Sequence, residues 1–167
     1  MLPHWGRESR DRQDQSQEIL AKRWLDEGAT IVAGSHPHVL QPMEKYITAD
    51  ARETFIIYSL GNFTTFHYDF RQKASMVLFL SLEKNAQGEV KINGVKYLPL
   101  FIRNRTGNLM DVEVHPIFPD SRFRGNGYAE SVDAINHIYE MMGSENAIEE
   151  AASDQIEFSH CHRQELF

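Results

Sequence analysis

The run from Gln17 to His38 does most to limit what this chain can fold into. Between Gln17 and Gly28, Ile19, Leu20, Trp24 and Leu25 have the one-sided apolar spacing of an amphipathic helix. Ser16 or Asp14 can cap it, Glu18 lies in its first turn, and Gly28 can close it as the C′ residue. Thr30-Ile31-Val32-Ala33 follows, short, β-branched and without alternation, as in a strand covered on both faces of an α/β sheet. Gly34-Ser35-His36-Pro37-His38 comes next. Helix, glycine, buried strand and turn in that order place two histidines at the carboxyl end of a strand, where open α/β sheets hold ligands.

Further along, Val39 to Ile47 reads as extended or irregular, punctuated by Pro42. Strands are expected at Thr54–Leu60, Ala74–Leu82, Glu89–Ile102 and Asp111–Phe118, with turns at Asn85–Gly88 and Asn104–Asn108. The middle of the chain therefore reads as antiparallel β. Tyr128–Met142 has the period of a helix, with Val132, Ile135, Ile138, Tyr139 and Met142 on one face and Gly143 ending it. Ser144 to Ala152 suggests one more short helix, and the polar tail from Ser153 is expected to be loose. The fold class is α/β, with α+β character in the C-terminal half.

Several function classes drop out on composition. A net charge of −7 without a Lys/Arg stripe argues against a nucleic-acid partner. Cys161 is the single cysteine, which excludes an intrachain disulfide and a cysteine-based zinc site. The longest fully apolar run, Met76 to Leu80, is far short of the ~20 residues of a membrane span. No signal peptide is expected, because the N-terminus goes straight to Pro3-His4-Trp5. A soluble chain is the expectation.

His36 and His38 flank Pro37, which stiffens the turn and holds the two side chains in a fixed relation. His4, before Trp5 and Gly6, sits where a strand runs into a loop and can join them. Neutral imidazole is the commonest protein ligand for borderline metals. Glu8 and Glu44 are the nearest acids to the two histidine segments, and each reads first as a solvated charge and second as a carboxylate that orients a ligand imidazole from behind. Asn62 reads either as a turn residue or as a polar group at the rim of the site. His67 is expected to be exposed in a loop, and His115 and His137 to be structural. His160-Cys161-His162 looks like a metal tract but lies in the tail and reads as chance. No catalytic residue is assigned.

These motifs carry a family resemblance. His4-Trp5-Gly6-Arg7-Glu8, the helix Gln17 to Gly28, Gly34-Ser35-His36-Pro37-His38-Val39-Leu40-Gln41-Pro42 with Glu44, and Tyr58-Ser59-Leu60-Gly61-Asn62-Phe63 resemble the second half of the CapA family. That family of bacterial capsule and poly-γ-glutamate biosynthesis proteins is similar to the calcineurin-like metallophosphoesterases. The match in order and spacing covers Met1 to Leu82, and departs at Ser9, where the family usually has an aromatic residue. It implies the C-terminal part of a four-layer α/β/β/α sandwich with a dinuclear centre of Mn, Fe or Zn, and it makes His4, His36 and His38 metal ligands. The Gly-Asp and Asn-Asn-His segments of the family's first half are absent, so the chain is expected to be a fragment or a product begun at an internal methionine. The organisation implied is one partial domain over 1–152, with the motifs in 1–82, antiparallel strands in 83–118 and helices in 128–152, followed by a tail from 153.

The function implied is metal-dependent hydrolase chemistry in the intact protein, on an anionic small molecule or polymer, with this chain alone inactive. The alternative is a non-catalytic component that binds polymer or partner proteins in a capsule-assembly complex. Missing strands would leave an open sheet edge, which favours self-association. The family points to the cell envelope and leaves the cytoplasm open.

Overall fold

The computed structural model describes residues 1–65, 67–104, 106, 111–118 and 128–147. Two three-stranded sheets organise them. The first contains β1 (Ile31–Ala33), β2 (Leu40–Ile47) and β3 (Glu53–Leu60) in the order β1-β3-β2. β1 runs parallel to β3, and β2 antiparallel to it. The second contains β4 (Ala74–Lys84), β5 (Val90–Asn104) and β6 (Val112–Pro116), all antiparallel. The α/β class expected from the sequence is the one observed.

β3 is the hub because both of its faces are buried. Ile56 and Tyr58 point to one side and pack with Val32 against Ala21 and Leu25 of α1 (Gln15–Asp26). Phe55 and Ile57 point to the other side, into a core shared with Met76, Tyr97 and Phe101 of the second sheet. Ala134, Ile135, Ile138 and Met142 of α3 (Tyr128–Met142) complete that core. The alternation follows from the two-residue period of a strand. The layers described are thus α1, the first sheet, and a second sheet that shares its core with α3.

α1 begins as its sequence dictates. Asp14 accepts from the amides of Ser16 and Gln17, while the Gln17 side chain accepts from the Asp14 amide at 3.0 Å, closing a capping box. The cap's hydrogen bonds hold the Asp14 carboxyl below its ordinary pKa. The buried stripe differs from the expected one. It runs through Gln17, Ala21 and Leu25 with Trp24 beside it, whereas Ile19 and Leu20 are exposed. A stripe stepping four residues through Gln17, Ala21 and Leu25 leaves Ile19 and Leu20 on other sides of the helix. In α3 the same kind of rotation buries Ala134 and exposes Val132.

The extended alternative for Val39–Ile47 is the one observed, whereas one short helix was not expected. β2 is a regular strand despite Pro42, because it lies at the edge of its sheet, where a residue without an N–H is tolerated. A four-residue helix, α2 (Phe70–Lys73), is capped by Asp69. After α3, a 3₁₀ turn occupies Ser144–Asn146. The remainder of the expected helix to Ala152, most of the turn at Asn104–Asn108, and the tail with His160, Cys161 and His162 lie outside the described residues. Among the described residues, no helix is long and apolar enough to cross a membrane.

Candidate metal centre

The N-terminal residues are stitched alongside β1. Ala33 N–H donates to Met1 O, Ser35 N–H to Pro3 O, and Trp5 N–H to Ser35 O. His4 and Ser35 form a parallel bridge, so the histidine sits level with the end of the β1 run. Trp5 then crosses over Gly34, and its indole N–H donates to Tyr58 O at 2.9 Å. A Cβ at Gly34 would be driven into that same Tyr58 oxygen and the Trp5 ring nitrogen, so only glycine lets the strand pass under the indole. Trp5 also stacks on Trp24, with ring centroids 5.6 Å apart.

The turn beyond Gly34 is strained and heavily braced. His36 has φ 103° and His38 φ 60°, both in the region that favours glycine. Left-handed backbone costs a non-glycine residue about 1–2 kcal/mol. Ser9 N–H donates to Pro37 O at 2.7 Å, and the Asn62 side-chain amide donates to His38 O at 3.0 Å. The loop carrying Ser9 is itself held from inside: buried Gln41 donates to the carbonyls of Arg10 and Arg12 and accepts from Gln17. Arg71 ties that loop to α2, pairing with Asp11 at 2.9 Å and Asp69 at 2.6 Å. The Arg71 hydrogen bond holds Asp69 below its usual pKa. Strain concentrated in a turn that so many hydrogen bonds hold in place is the pattern of a functional site.

Asn62 determines what His38 can offer. Its Nδ2 donates to His38 O and to Gln72 O at 2.9 Å, which fixes which end of the amide is oxygen. That oxygen, Oδ1, lies 2.7 Å from His38 Nδ1. An oxygen with no proton can only accept, so neutral His38 carries its proton on Nδ1 and leaves the Nε2 lone pair free. Ligating histidines are oriented in this way, with the second ring nitrogen donating to an oxygen. His4 Nδ1 lies 3.4 Å from Ser35 Oγ, whose hydroxyl is 3.2 Å from Pro3 O. With the serine proton on the Pro3 carbonyl, His4 also donates from Nδ1 and leaves Nε2 open.

The imidazoles meet in pairs. His4 and His36 have ring centroids 4.5 Å apart, and His36 and His38 6.3 Å. Among the described residues, no three of His, Cys, Asp and Glu are grouped closely enough to hold an ion. Among the described residues, His4 and His38 thus present open Nε2 atoms, but the imidazoles do not form a closed ligand set. Glu44 lies elsewhere: it accepts from the Tyr58 hydroxyl at 2.7 Å and faces Lys22 at 3.9 Å. Burial, and then Glu44, push the Tyr58 hydroxyl pKa well above normal. Glu8 bears on a different histidine through its charge alone. Desolvation and then His38 lower the His67 pKa, while the Glu8 charge works against them. His67 is only partly exposed, contrary to expectation, and its ring lies 5.3 Å from that of His38. Nothing in its local sequence marks it, because the fold of its loop against the turn decides where it goes. His115 pairs with Glu113 in β6, and His137 in α3 meets Phe70 edge-on.

Residues 1–67 match the family model described as the bacterial capsule synthesis protein PGA_cap. That segment is similar to the CapA family. The PGA biosynthesis protein CapA of Bacillus subtilis (strain 168) is 37% identical over 92 residues, which are 55% of this chain and 23% of the relative. The capsule biosynthesis protein CapA of Bacillus anthracis is 40% identical over 82 residues, 49% of this chain and 19% of the relative. The chain thus spans about a fifth of the length of these CapA relatives. The stretch matched to the family carries the strained turn, the Trp5 clamp and all four clustered histidines, and it stops before the second sheet begins.

Proposed function

We propose that this chain carries the imidazole side of a divalent-metal centre of Mn, Fe or Zn, dinuclear in the intact protein, that serves capsule or poly-γ-glutamate biosynthesis. The observation that carries the reading is His38, locked by Asn62 with its Nε2 lone pair free. His4, His36 and His38 would be ligands, with Asn62 orienting His38. Bound metal would supply an activated water and polarise a phosphoryl or acyl oxygen, which is hydrolase chemistry of the phosphoesterase type. The chain's own contribution is to hold the imidazoles in one tautomer and to keep the turn from relaxing. Glu44 serves Tyr58 in this reading, and Glu8 contributes only its charge.

One observation favours a second reading. Among the described residues no carboxylate joins the imidazoles, and a hydrolytic two-metal centre needs several. A site held by imidazoles alone suits a component that binds an anionic polymer or an assembly partner without turning it over.

Elemental analysis after Mn²⁺ or Zn²⁺ loading and desalting tests the metal itself. The chain should retain metal that a His36→Ala/His38→Ala variant loses; equal retention by both would end the metal reading. Hydrolysis of a generic phosphodiester by the loaded protein, lost in the same variant, separates the enzyme from the binding component.

A further inference from the structure

We propose that His67 is a fourth imidazole donor of this centre, pairing with His38 as His4 pairs with His36. The inference rests on the metal reading above and extends it to a residue outside the three-histidine set.

Ring spacing carries it. Two imidazoles that bind one ion through nitrogens at about 2.0–2.1 Å have ring centroids about 4.5–5.5 Å apart, for ligand angles between a right angle and trigonal. His4 and His36 meet that condition at 4.5 Å, and His38 and His67 meet it at 5.3 Å. His36 and His38, at 6.3 Å, do not. By spacing, the four rings thus divide into two pairs.

The second observation is a polar atom without a partner. His67 Nε2 is buried and has no hydrogen-bond partner among the described residues. Buried polar atoms are almost always satisfied, and an exception calls for a missing water or ion. Across the pair, His38 has its Nδ1 committed to Asn62 and Nε2 open. One ring with a free lone pair beside another with an orphaned nitrogen is the arrangement a cation would satisfy. His67 comes from the loop between β3 and α2, and α2 is fastened by Arg71 to the loop that bears Glu8 and Ser9. The pair is therefore assembled by the same braces that hold the strained turn.

The test is zinc titration of the ¹⁵N-histidine-labelled chain, followed by long-range ¹H–¹⁵N imidazole spectra. The ring-nitrogen resonances of His38 and His67 should move together as metal is added. His67→Ala should weaken binding by at least the about tenfold that loss of an outer partner costs. In that variant the His4 and His36 signals should still respond. His67→Gln, closer in size, guards against a collapsed loop, and its amide spectrum should match that of the parent. If His38 responds while His67 stays fixed, and both variants bind within twofold of the parent, His67 is not a donor although the metal reading stands. If no imidazole responds, the metal reading fails and this inference fails with it.

Discussion

The two sheets of this molecule solve different problems. The second is built from a long, regular antiparallel pair, β4 against β5, with one register shift, between Ser81 and Leu82. Most of its backbone bonds are made within the ladder, and Tyr97 ties it to the end of α3 through a hydrogen bond from its hydroxyl to Gly143 O. The first mixes parallel and antiparallel pairing, and it ends in a turn with two left-handed histidines. There the backbone is secured by side chains: Trp5 on Tyr58 O, Asn62 on His38 O and Gln72 O, Gln41 on Arg10 O and Arg12 O. Regular pairing gives stability without specificity of position. Side-chain clamps hold an unfavourable conformation where chemistry wants it, and they make that region intolerant of change.

Glycine gives the widest contrast between the two regions. Gly34→Ala in the first sheet meets a backbone oxygen and the Trp5 ring, neither of which can swing away. It should cost about 3 kcal/mol, the upper end for overpacking. Gly94→Ala in β5 meets nothing closer than Ser81 Cβ at 3.9 Å and has no left-handed φ. It should be neutral or stabilising by up to about 1 kcal/mol. Urea unfolding of both variants reads the difference, and similar costs would mean that the clamped region is no tighter than the plain ladder.

Asn62→Ala sharpens the comparison at the site itself. It removes one acceptor and two donors from a residue that is 6% exposed, and takes away the donor that Asn62 gives to each of the carbonyls of His38 and Gln72. A loss of about 2 kcal/mol in stability is expected. Metal affinity should fall as well, because His38 is then free to change tautomer. If stability falls while the affinity of His38 for metal is untouched, Asn62 is a structural brace alone.

Much of the first region could be read in the chain, and the reason is local. The capping box, Gly28, the β-branched run and the His-Pro-His turn are all short-range signals, and each element appeared where they put it. What could not be read depends on distant partners. Pro42 left Val39–Ile47 open between extended and irregular, because nothing local says that β2 is an edge strand. Glu44 is close to the turn in sequence, but Tyr58 on the neighbouring strand claims it. Ile19 and Leu20 look like core residues until the Gln17–Gln41 contact sets the rotation of α1. His67 belongs to the same class, since its nearness to His38 comes from how a loop closes.

Acid should weaken the first region before the second. Asp69 and Asp14 both have lowered native pKa values, through Arg71 and through the helix cap respectively. A lowered native value means that the contribution is present above the unfolded pKa of about 3.9 and is lost as pH falls through the native one. Amide exchange between pH 5 and pH 2 should therefore open α1 and α2 before the β4–β5 ladder. Asp69→Asn should flatten the acid limb at α2, and an unchanged limb would place the acid sensitivity elsewhere.

The smallest effect is the most diagnostic of strain. His36→Gly removes a side chain from a residue with φ 103°, which glycine adopts freely. The relief of about 1–2 kcal/mol is partly offset by the greater freedom of glycine in the unfolded chain. Net stability should stay level or rise by up to about 1 kcal/mol. The same change deletes one member of the His4–His36 pair, so metal retention should fall. A variant that is no less stable and holds less metal would show that the left-handed turn is kept for its imidazoles; a clear loss of stability would show instead that His36 is a packing residue whose backbone costs little.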